Sequence, residues 1–350
     1  MRKNKNFRDN LITYIMVIVA FIVVQILRST GNISSLFEGL LVPICTYVIL
    51  AVSLNLVVGI SGELSLGHAG FMCVGAFASA FFTKCMQTAI PASGLRFAVA
   101  IVIGAIVAAI FGILIGIPVL RLKGDYLAIV TLAFGEIIKN VINIFYIGRD
   151  SNGFHISMKD QFSLGMEADG TMLLGGPQGI TGIPKDSTFI IGTVLVLITL
   201  FITLNLIDSR DGRAIKSIRD NRIAAGSIGI NITKYKLMAF TISAALAGVA
   251  GSLYSHNLAT LQASKFNFNT SILALVFVVL GGIGNIRGSV IAAVILTALP
   301  EMLRFLSDYR MLIYAIVLIA MMLFNWAPKS LELRERYLGR FFKKSVKEGK

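Results

Sequence analysis

The stretch Asp208–Lys236, DSRDGRAIKSIRDNRIAAGSIGINITKYK, is a polar interruption between two long apolar runs, one ending near Ile207 and the other beginning near Leu237. It holds seven basic and three acidic residues, a net charge of +4. Basic connections between membrane-spanning segments stay in the cytoplasm, because Lys and Arg resist translocation. The stretch therefore predicts a polytopic helical membrane protein in which residues 208–236 form a cytoplasmic loop.

Two short helices are predicted inside this loop, over residues 212–219 and 221–228. Asp211 and Asp220 each precede a short run with helical propensity, which is where N-caps stand. Gly229 is placed to end the second run, because glycine adopts the left-handed conformation that closes many helices. A short ordered helix held at the inner membrane face is suited to docking another protein.

Composition supports an integral membrane protein. Of the 350 residues, 56% are hydrophobic and only 14% are charged, with a mean hydropathy of +0.80, whereas soluble domains have about 25% charged residues. The net charge of +14 is concentrated in the loop 208–236 and in the two terminal tails, 1–10 and 329–350. Charge that flanks apolar segments in this way sets membrane orientation, which we favour over nucleic-acid binding.

The predicted fold class is an all-α polytopic membrane bundle with broken or re-entrant segments. A span needs about 20 apolar residues, and this length divides the chain into ten predicted spans. The predicted spans are 11–27, 36–58, 69–85, 97–117, 126–147, 188–207, 237–256, 270–284, 289–306 and 310–326. Both basic tails then lie in the cytoplasm, on either side of a transmembrane domain over 11–328. The 148–187 connection, with three basic and five acidic residues, falls outside. Residues 270–306 could instead be one span plus a re-entrant piece.

Two glycine-rich stretches, residues 59–70 and 281–288, interrupt apolar runs. Each contains Gly-x-x-Gly followed by a polar residue, Glu63 in the first and Asn285 in the second. Irregular backbone at membrane depth is tolerated only where it is buried in protein or lines a wet cavity. Prolines inside apolar runs are expected to kink or break two helices, at Pro43 and Pro300.

Polar side chains inside predicted spans are candidate functional groups, because a charge at membrane depth is costly and usually functional. Glu136 lies in mid-span with Lys139 one helical turn later, a spacing that permits an ion pair. The candidates for lining a translocation path are Asn55, Glu63, His68, Glu136 and Asn140. The alternative interpretation is that these groups satisfy one another and fix helix packing.

Small residues recur at four-residue spacing in two of the apolar runs. Such spacing lets helices approach one another closely in lipid. The pairs are Gly112 and Gly116, Ala244 and Gly248, and Ala247 and Gly251.

Motifs typical of an enzyme are absent from the sequence. The three histidines have no metal-binding spacing, and neither Gly-x-Ser-x-Gly nor GxxxxGK[ST] occurs. If ATP drives this protein, another subunit must bind it. Neither a cofactor nor a metal site is predicted.

Five segments match a known pattern in the right order. They are Leu54–Ala76 with its SLGHAGF motif, Leu122–Lys139, the Gly-Gly-Pro segment Gly175–Pro184, the loop Ser209–Asn231 and the Gly-Gly-Ile-Gly turn within Ala274–Gly288. Together they resemble the permease subunits of branched-chain amino-acid ABC importers, in the M-type form. Within the loop, Ile223–Gly229 is similar to the EAA-x-x-x-G segment that docks into the ATPase subunit, with Ile223 in place of its Glu.

The resemblance implies one of two permeases that line a shared path across the cytoplasmic membrane of a bacterium or archaeon. The implied partners are a second, H-type permease, two ATPase subunits at the cytoplasmic face, an extracytoplasmic solute-binding protein and membrane lipid. The implied solute is leucine, isoleucine, valine or a related small molecule such as urea. The implied docking residues are Arg213, Arg219, Arg222, Ala224, Ala225 and Gly229.

The main alternative is an ion- or proton-coupled secondary transporter, with Glu136 as the coupling carboxylate and the broken helices forming the site. That hypothesis predicts gradient-driven transport by this chain alone, indifferent to ATP. A membrane enzyme would need a catalytic constellation and a channel would need a filter sequence, and the sequence shows neither.

Overall fold

The apolar runs fold into long helices, because only a helix satisfies every backbone N–H and C=O of a lipid-embedded segment within the segment itself. The structure, a computed structural model, describes residues 2–31, 34–87, 89–120, 126–150, 153–166, 170–302, 315–316 and 319. The main α-helices of these residues are α1 (Arg2–Ser29), α2 (Ser35–Asn55), α3 (His68–Cys85), α4 (Ser93–Val119), α5 (Tyr126–Ile144), α6 (Phe189–Asp208), α7 (Arg210–Asp220), α8 (Arg222–Ser227), α9 (Ile232–Ser255), α10 (Phe268–Gly281) and α11 (Ile286–Met302).

The connection between α5 and α6 carries most of the β-structure, which the sequence did not predict. Its strands are β1 (Tyr146–Asp150), β2 (Gly153–Ser157), β3 (Thr171–Gly175) and β4 (Ile180–Thr181), and β5 (Thr260–Leu261) follows α9. β1 is the central strand of an antiparallel sheet in the order β2–β1–β3, with Tyr146 opposite both Ser157 and Gly175. β4 pairs with β5, so this sheet joins the α5–α6 connection to the segment after α9.

Seven helices of the described residues are long and apolar enough to cross a membrane, so the count of ten was wrong. The predicted span 69–85 forms α3, but its 18 residues include His68 and Lys84 and most of it is buried in protein. It therefore needs less apolar surface than a helix that faces lipid. The predicted span 289–306 corresponds to α11, which the structure describes for 17 residues.

The centre of the bundle is α9, which packs against α2, α3 and α4. Small residues permit this contact. A Cβ added at Gly251 would lie 2.0 Å from the carbonyl oxygen of Met72, and one at Gly248 would lie 2.6 Å from that of Gly104. Neither position accepts a side chain without moving a helix, so the predicted close packing at these glycines is confirmed.

Proline does not break either of the helices in which we expected an interruption. α2 continues through Pro43 to Asn55, and α11 continues through Pro300 to Met302. A membrane helix accommodates proline when neighbouring helices and local adjustments satisfy the freed backbone groups.

The connections gather at two ends of the bundle. At one end, which we call the loop end, Arg219 in α7 donates to the carbonyl oxygen of Gly59, just after α2, at 2.8 Å. The Asn10 side chain donates to the Asp208 carboxylate at 2.7 Å, which brings the start of α1 to the same end. The loop end therefore holds the basic loop 208–236.

At the other end, the sheet end, Lys84 near the end of α3 donates to the carbonyl oxygen of Thr181 in β4 at 2.8 Å. His256, just after α9, lies 2.8 Å from the hydroxyl of Thr83. α3 thus runs from the loop end to the sheet end, as expected for the predicted span 69–85.

The chain divides into two units, residues 1–294 and residues 295–350. In the second unit the structure describes residues 295–302, 315–316 and 319, all helical. The predicted span 310–326 lies mostly, and the tail 329–350 wholly, outside the described residues, as does the short loop 121–125. The backbone of the other predicted tail, 1–10, is helical from Arg2 onward as the start of α1.

Candidate functional site

The first break lies between α2 and α3, over residues 56–67. α2 widens into a π-helical turn over Leu56–Ser61, whose six residues are all buried. Gly62 ends the turn with a φ of +75°, a left-handed conformation that favours glycine. The predicted interruption is confirmed here; its π-helical turn is buried in protein, whereas Gly62 and Leu64 are exposed.

The second break lies between α10 and α11, over residues 282–285, and Asn55 joins it to the first. The Asn55 amide donates to the Ser289 hydroxyl at 2.7 Å and accepts from the N–H of Gly284 at 2.9 Å. A Cβ added at Gly59 would lie 2.3 Å from the Gly284 nitrogen, so the two breaks touch through backbone. Asn55 is fully buried and satisfied, which fits the packing interpretation of this residue.

Glu63 in the first break and His68, which begins α3, also have partners, whereas the buried Ser65 hydroxyl has none among the described residues. The Glu63 carboxylate forms an ion pair with Lys236 at the start of α9, and their side chains are only 14% and 9% exposed. Nε2 of His68, buried at the start of α3, lies 2.8 Å from the Ser53 hydroxyl, while its Nδ1 has no partner among the described residues. Glu63 and His68 therefore hold α2, α3 and α9 together at this break.

The basic loop folds into two short helices, α7 and α8, as the sequence predicts. The predicted caps Asp211 and Asp220 were wrong by one or two residues. Ser209 caps α7 by accepting from the N–H of Gly212 at 3.0 Å, and Asn221 caps α8 with two such bonds. Ser and Asn place a short oxygen where it reaches the free N–H groups of a first helical turn.

Gly229 closes α8 as expected. Its φ is +84°, and the following N–H, of Ile230, donates to the carbonyl oxygen of Ala225 at 3.1 Å. This arrangement is typical of a helix that ends on a left-handed glycine.

α8 presents apolar side chains away from the rest of the chain. Ile223 and Ile228 are 85% and 75% exposed, and Ala224 is exposed beside them. Ala225 is only 3% exposed, because it lies on the opposite face of the short helix. The predicted docking residue Ala225 therefore packs inside the loop and is not on its surface. The exposed face includes two isoleucines that the motif comparison did not single out.

The three predicted docking arginines differ in their surroundings. Arg213 is exposed and donates to the carbonyl oxygen of Asp208 at 3.0 Å, and Arg222 is half-buried. Arg219 reaches away from α8: besides its ion pair with Asp220 it donates to Gly59 in the first break. One arginine thus connects the loop directly to the π-helical turn, across 160 positions of sequence.

Glu136 and Asn140 lie on α5, away from both breaks. Glu136 pairs with Lys139, as the spacing predicts, and its carboxylate remains 38% exposed. Glu136 also borders a narrow cleft between α3, α5 and α10, together with Asn267 and Ser271. Asn140 is exposed on α5. The five predicted path residues do not form one cluster: Asn55, Glu63 and His68 belong to the first break, and Glu136 and Asn140 to α5.

The described residues contain no group of three or more His, Cys, Asp or Glu side chains that could hold a metal ion. The arrangement is suited to transmitting movement from the loop to the first break. A loop with an exposed apolar helix is tied by Arg219 to Gly59 and by Lys236 to Glu63. Movement of the loop 208–236 would therefore reach the first break through these two contacts, one from α7 and one from α9.

Comparison with known proteins identifies relatives over most of the chain. The family model described as branched-chain amino acid transport system / permease component matches residues 36–322. The high-affinity branched-chain amino acid transport system permease protein LivM of Escherichia coli (strain K12) is 37% identical over 295 residues, covering 81% of this chain and 67% of that protein. The LivM of Salmonella typhimurium is 36% identical over 294 residues, with the same coverage.

A second type of relative is more distant. The permease protein LivH of Escherichia coli (strain K12) is 25% identical over 256 residues, which is 72% of this chain and 79% of that protein. No solved structure matches the chain. The relatives named here are all transport-system permeases, and none of them supports a secondary transporter.

Proposed function

This chain belongs to the family of branched-chain amino acid transport system permease components, and we propose that it is the M-type subunit of an ATP-driven importer. It is a multi-pass membrane protein and a transport permease. Its substrates are leucine, isoleucine and valine, and it works with an H-type permease. Two ATPase subunits dock at the loop end, and a solute-binding protein delivers the substrate at the sheet end.

The net charge of +4 in 208–236 supports a cytoplasmic loop end. The sheet end is then extracytoplasmic. The basic tails 1–10 and 329–350 support the proposal that both termini are cytoplasmic as well.

The observation that carries this proposal is the exposed face of α8. Water-exposed isoleucines are unfavourable unless a partner covers them, and exposed apolar patches commonly mark interaction sites. Ile223 and Ile228 stand on an ordered helix that both ends fix, through the caps at Asn221 and Gly229. An ordered apolar helix in the cytoplasm is suited to a groove on a separate ATPase subunit.

The mechanism follows from the contacts behind α8. Closure of the ATPase pair on ATP would move α8 and α7 as one body. Arg219 and Lys236 would transmit that movement to Gly59 and Glu63 in the first break. Two arrangements of the break, each favoured by a different nucleotide state, would then open the path to one side or the other.

The docking surface is tested by Ile223→Asp, which places a charge in the contact with the ATPase. An uncompensated buried charge costs several kcal/mol, and a micromolar complex is stabilised by only about 8 kcal/mol. We expect normal insertion and abundance, loss of ATPase copurification and loss of leucine uptake. The matched control is Ile156→Asp, which changes a 64% exposed isoleucine of β2 at the sheet end and should leave the ATPase bound. Wild-type copurification with Ile223→Asp would contradict docking at α8.

A further inference from the structure

Residues 256–267 begin at the sheet end, where β5 pairs with β4, and then enter the bundle. They run alongside α3, and the contacts that show this are His256 with Thr83 at 2.8 Å, Phe266 with Phe77 at 6.3 Å between ring centroids, and Ser271 with the N–H of Ala69 at 3.1 Å. Phe77 lies about 12 Å from the end of α3, at 1.5 Å per residue. α10 begins only at Phe268. Backbone outside the α-helices, irregular except for β5 and a 3-10 turn over Ala263–Lys265, therefore reaches halfway along a buried helix.

Backbone of this kind is stable at membrane depth only where it is buried or lines a water-filled cavity. This segment lines one. Together with the first turn of α10 it forms much of the lining of an open cleft of about 460 Å³, which we call the sheet-end cleft. The side chains that the segment and this turn contribute are Gln262, Ser264, Lys265, Asn267, Asn269 and Thr270.

The cleft is cationic. Lys265 is the only charged side chain of its described lining, and the lining contains no carboxylate. Lys265 is exposed, and no carboxylate of the described residues forms an ion pair with it. The Thr270 hydroxyl donates to the carbonyl oxygen of Lys265 at 2.8 Å, which fixes the backbone that carries this cation.

The rest of the lining is aromatic and aliphatic, formed by Tyr47, Tyr254 and Leu273. Neighbouring rings hold both tyrosines: Tyr47 packs edge-on against Phe277 at 5.8 Å, and Tyr254 against Phe266 at 5.7 Å. The cleft thus combines one fixed cation, several neutral hydrogen-bonding groups and apolar surface. Sites for small molecules combine apolar surface with a few placed polar groups; this cleft has both, with the polar side chains in the majority.

We propose that this cleft binds an aliphatic α-amino acid as its zwitterion, with the α-carboxylate on Lys265. Neutral oxygens of the amide and hydroxyl side chains accept from the ammonium group, and the aliphatic side chain lies against Leu273 and the tyrosine rings. A cationic solute would be repelled by Lys265, and a neutral solute such as urea would leave the cation unpaired. The proposal rests on the proposed function, because it gives the importer's substrate a site on this chain.

The test uses the assembled importer with its solute-binding protein in proteoliposomes, and radiolabelled leucine as the probe. Lys265→Cys removes the cation from an exposed position, so the protein should fold and retain its ATPase. Leucine uptake should fall about tenfold or more, as expected for loss of a charge-assisted hydrogen bond. Treatment from outside with an aminoethyl thiosulfonate reagent restores a positive side chain and should restore uptake. A sulfonatoethyl reagent of similar size adds a negative charge and should not.

The matched control is Lys159→Cys, which removes an exposed lysine from the loop after β2 and should transport normally with either reagent. Uptake by Lys265→Cys at the wild-type rate, or equal responses to the two reagents, would overturn the carboxylate site. Failure of the proposed function is distinguishable, because the wild-type complex itself would then take up no leucine or carry no ATPase.

Discussion

The first break and the sheet-end cleft are both interruptions of helix inside the bundle, but their polar groups face different surroundings. In the first break, Asn55 and Glu63 have their partners within the chain, at Ser289, Gly284 and Lys236. In the cleft, Lys265 faces open space with no carboxylate beside it.

The difference teaches that a polar residue at membrane depth is not by itself a sign of a transport path. A polar group whose hydrogen bonds close within the chain contributes to packing, and it can transmit movement without contacting solute. A polar group that lines a cavity and has no partner of opposite charge within the chain is available to a ligand. Three predictions test this division, in order of expected effect on stability.

The largest effect is expected for Glu63→Ala. It leaves Lys236 as an uncompensated charge that is 9% exposed, which costs about 3–5 kcal/mol. We expect a clear fall in the thermal unfolding midpoint of the purified protein. Exchanging the charges, with Glu63→Lys and Lys236→Glu together, should recover much of the loss.

A matched control for this pair is Glu38→Ala. Its partner is Arg28, and the side chains are 49% and 42% exposed, so the loss should be at most about 1 kcal/mol. If Glu63→Ala unfolds at the same temperature as Glu38→Ala, the first break is not held by this ion pair.

A smaller loss of stability is expected for Asn55→Ala. The substitution leaves the partly buried N–H of Gly284 without its acceptor, at about 1–3 kcal/mol, and removes the donor to the Ser289 hydroxyl, which keeps its bond to the Asn285 carbonyl oxygen. Denaturation of the purified protein measures the difference. Asn140→Ala, at an exposed position on α5, is the matched comparison and should change stability by less than about 0.5 kcal/mol. Equal losses of stability in the two variants would show that Asn55 does not connect the two breaks.

The smallest change in stability, with a change in transport, is expected for Glu136→Gln. The ion pair with Lys139 is partly exposed, so its loss should cost about 1 kcal/mol or less. Glu136 borders a cleft with Asn267, which also lines the sheet-end cleft, and we therefore expect slower leucine uptake. Lys139→Gln breaks the same ion pair but keeps the carboxylate, and it should transport faster than Glu136→Gln. Unchanged leucine uptake by Glu136→Gln would show that Glu136 contributes to helix packing and not to transport.

Much of the architecture follows from local properties of the chain. Hydrophobic length predicts the helices that face lipid, and the caps and glycines of 208–236 predict α7 and α8 to within a few residues. The glycine-rich motif predicts the first break, because glycine permits backbone geometry that other residues resist. These features depend on residues that are neighbours in sequence, so their physical causes can be recognised there.

Other features depend on neighbours in space, and the pattern of residue types contains no signal for them. Hydrophobic length gave ten spans, whereas seven of the described helices are long and apolar enough to cross a membrane. α3 reaches from the loop end to the sheet end without being one of the seven, because most of it is buried in protein and needs no fully apolar surface. Arg219 contacts a carbonyl oxygen 160 positions away, and any exposed arginine of the loop would have looked the same in sequence. Lys265 and Tyr47 line the same cleft only because residues 256–267 run alongside α3. Whether a polar group is satisfied or open depends on which side chains packing brings within about 3 Å of it, and that is settled only when distant segments come together.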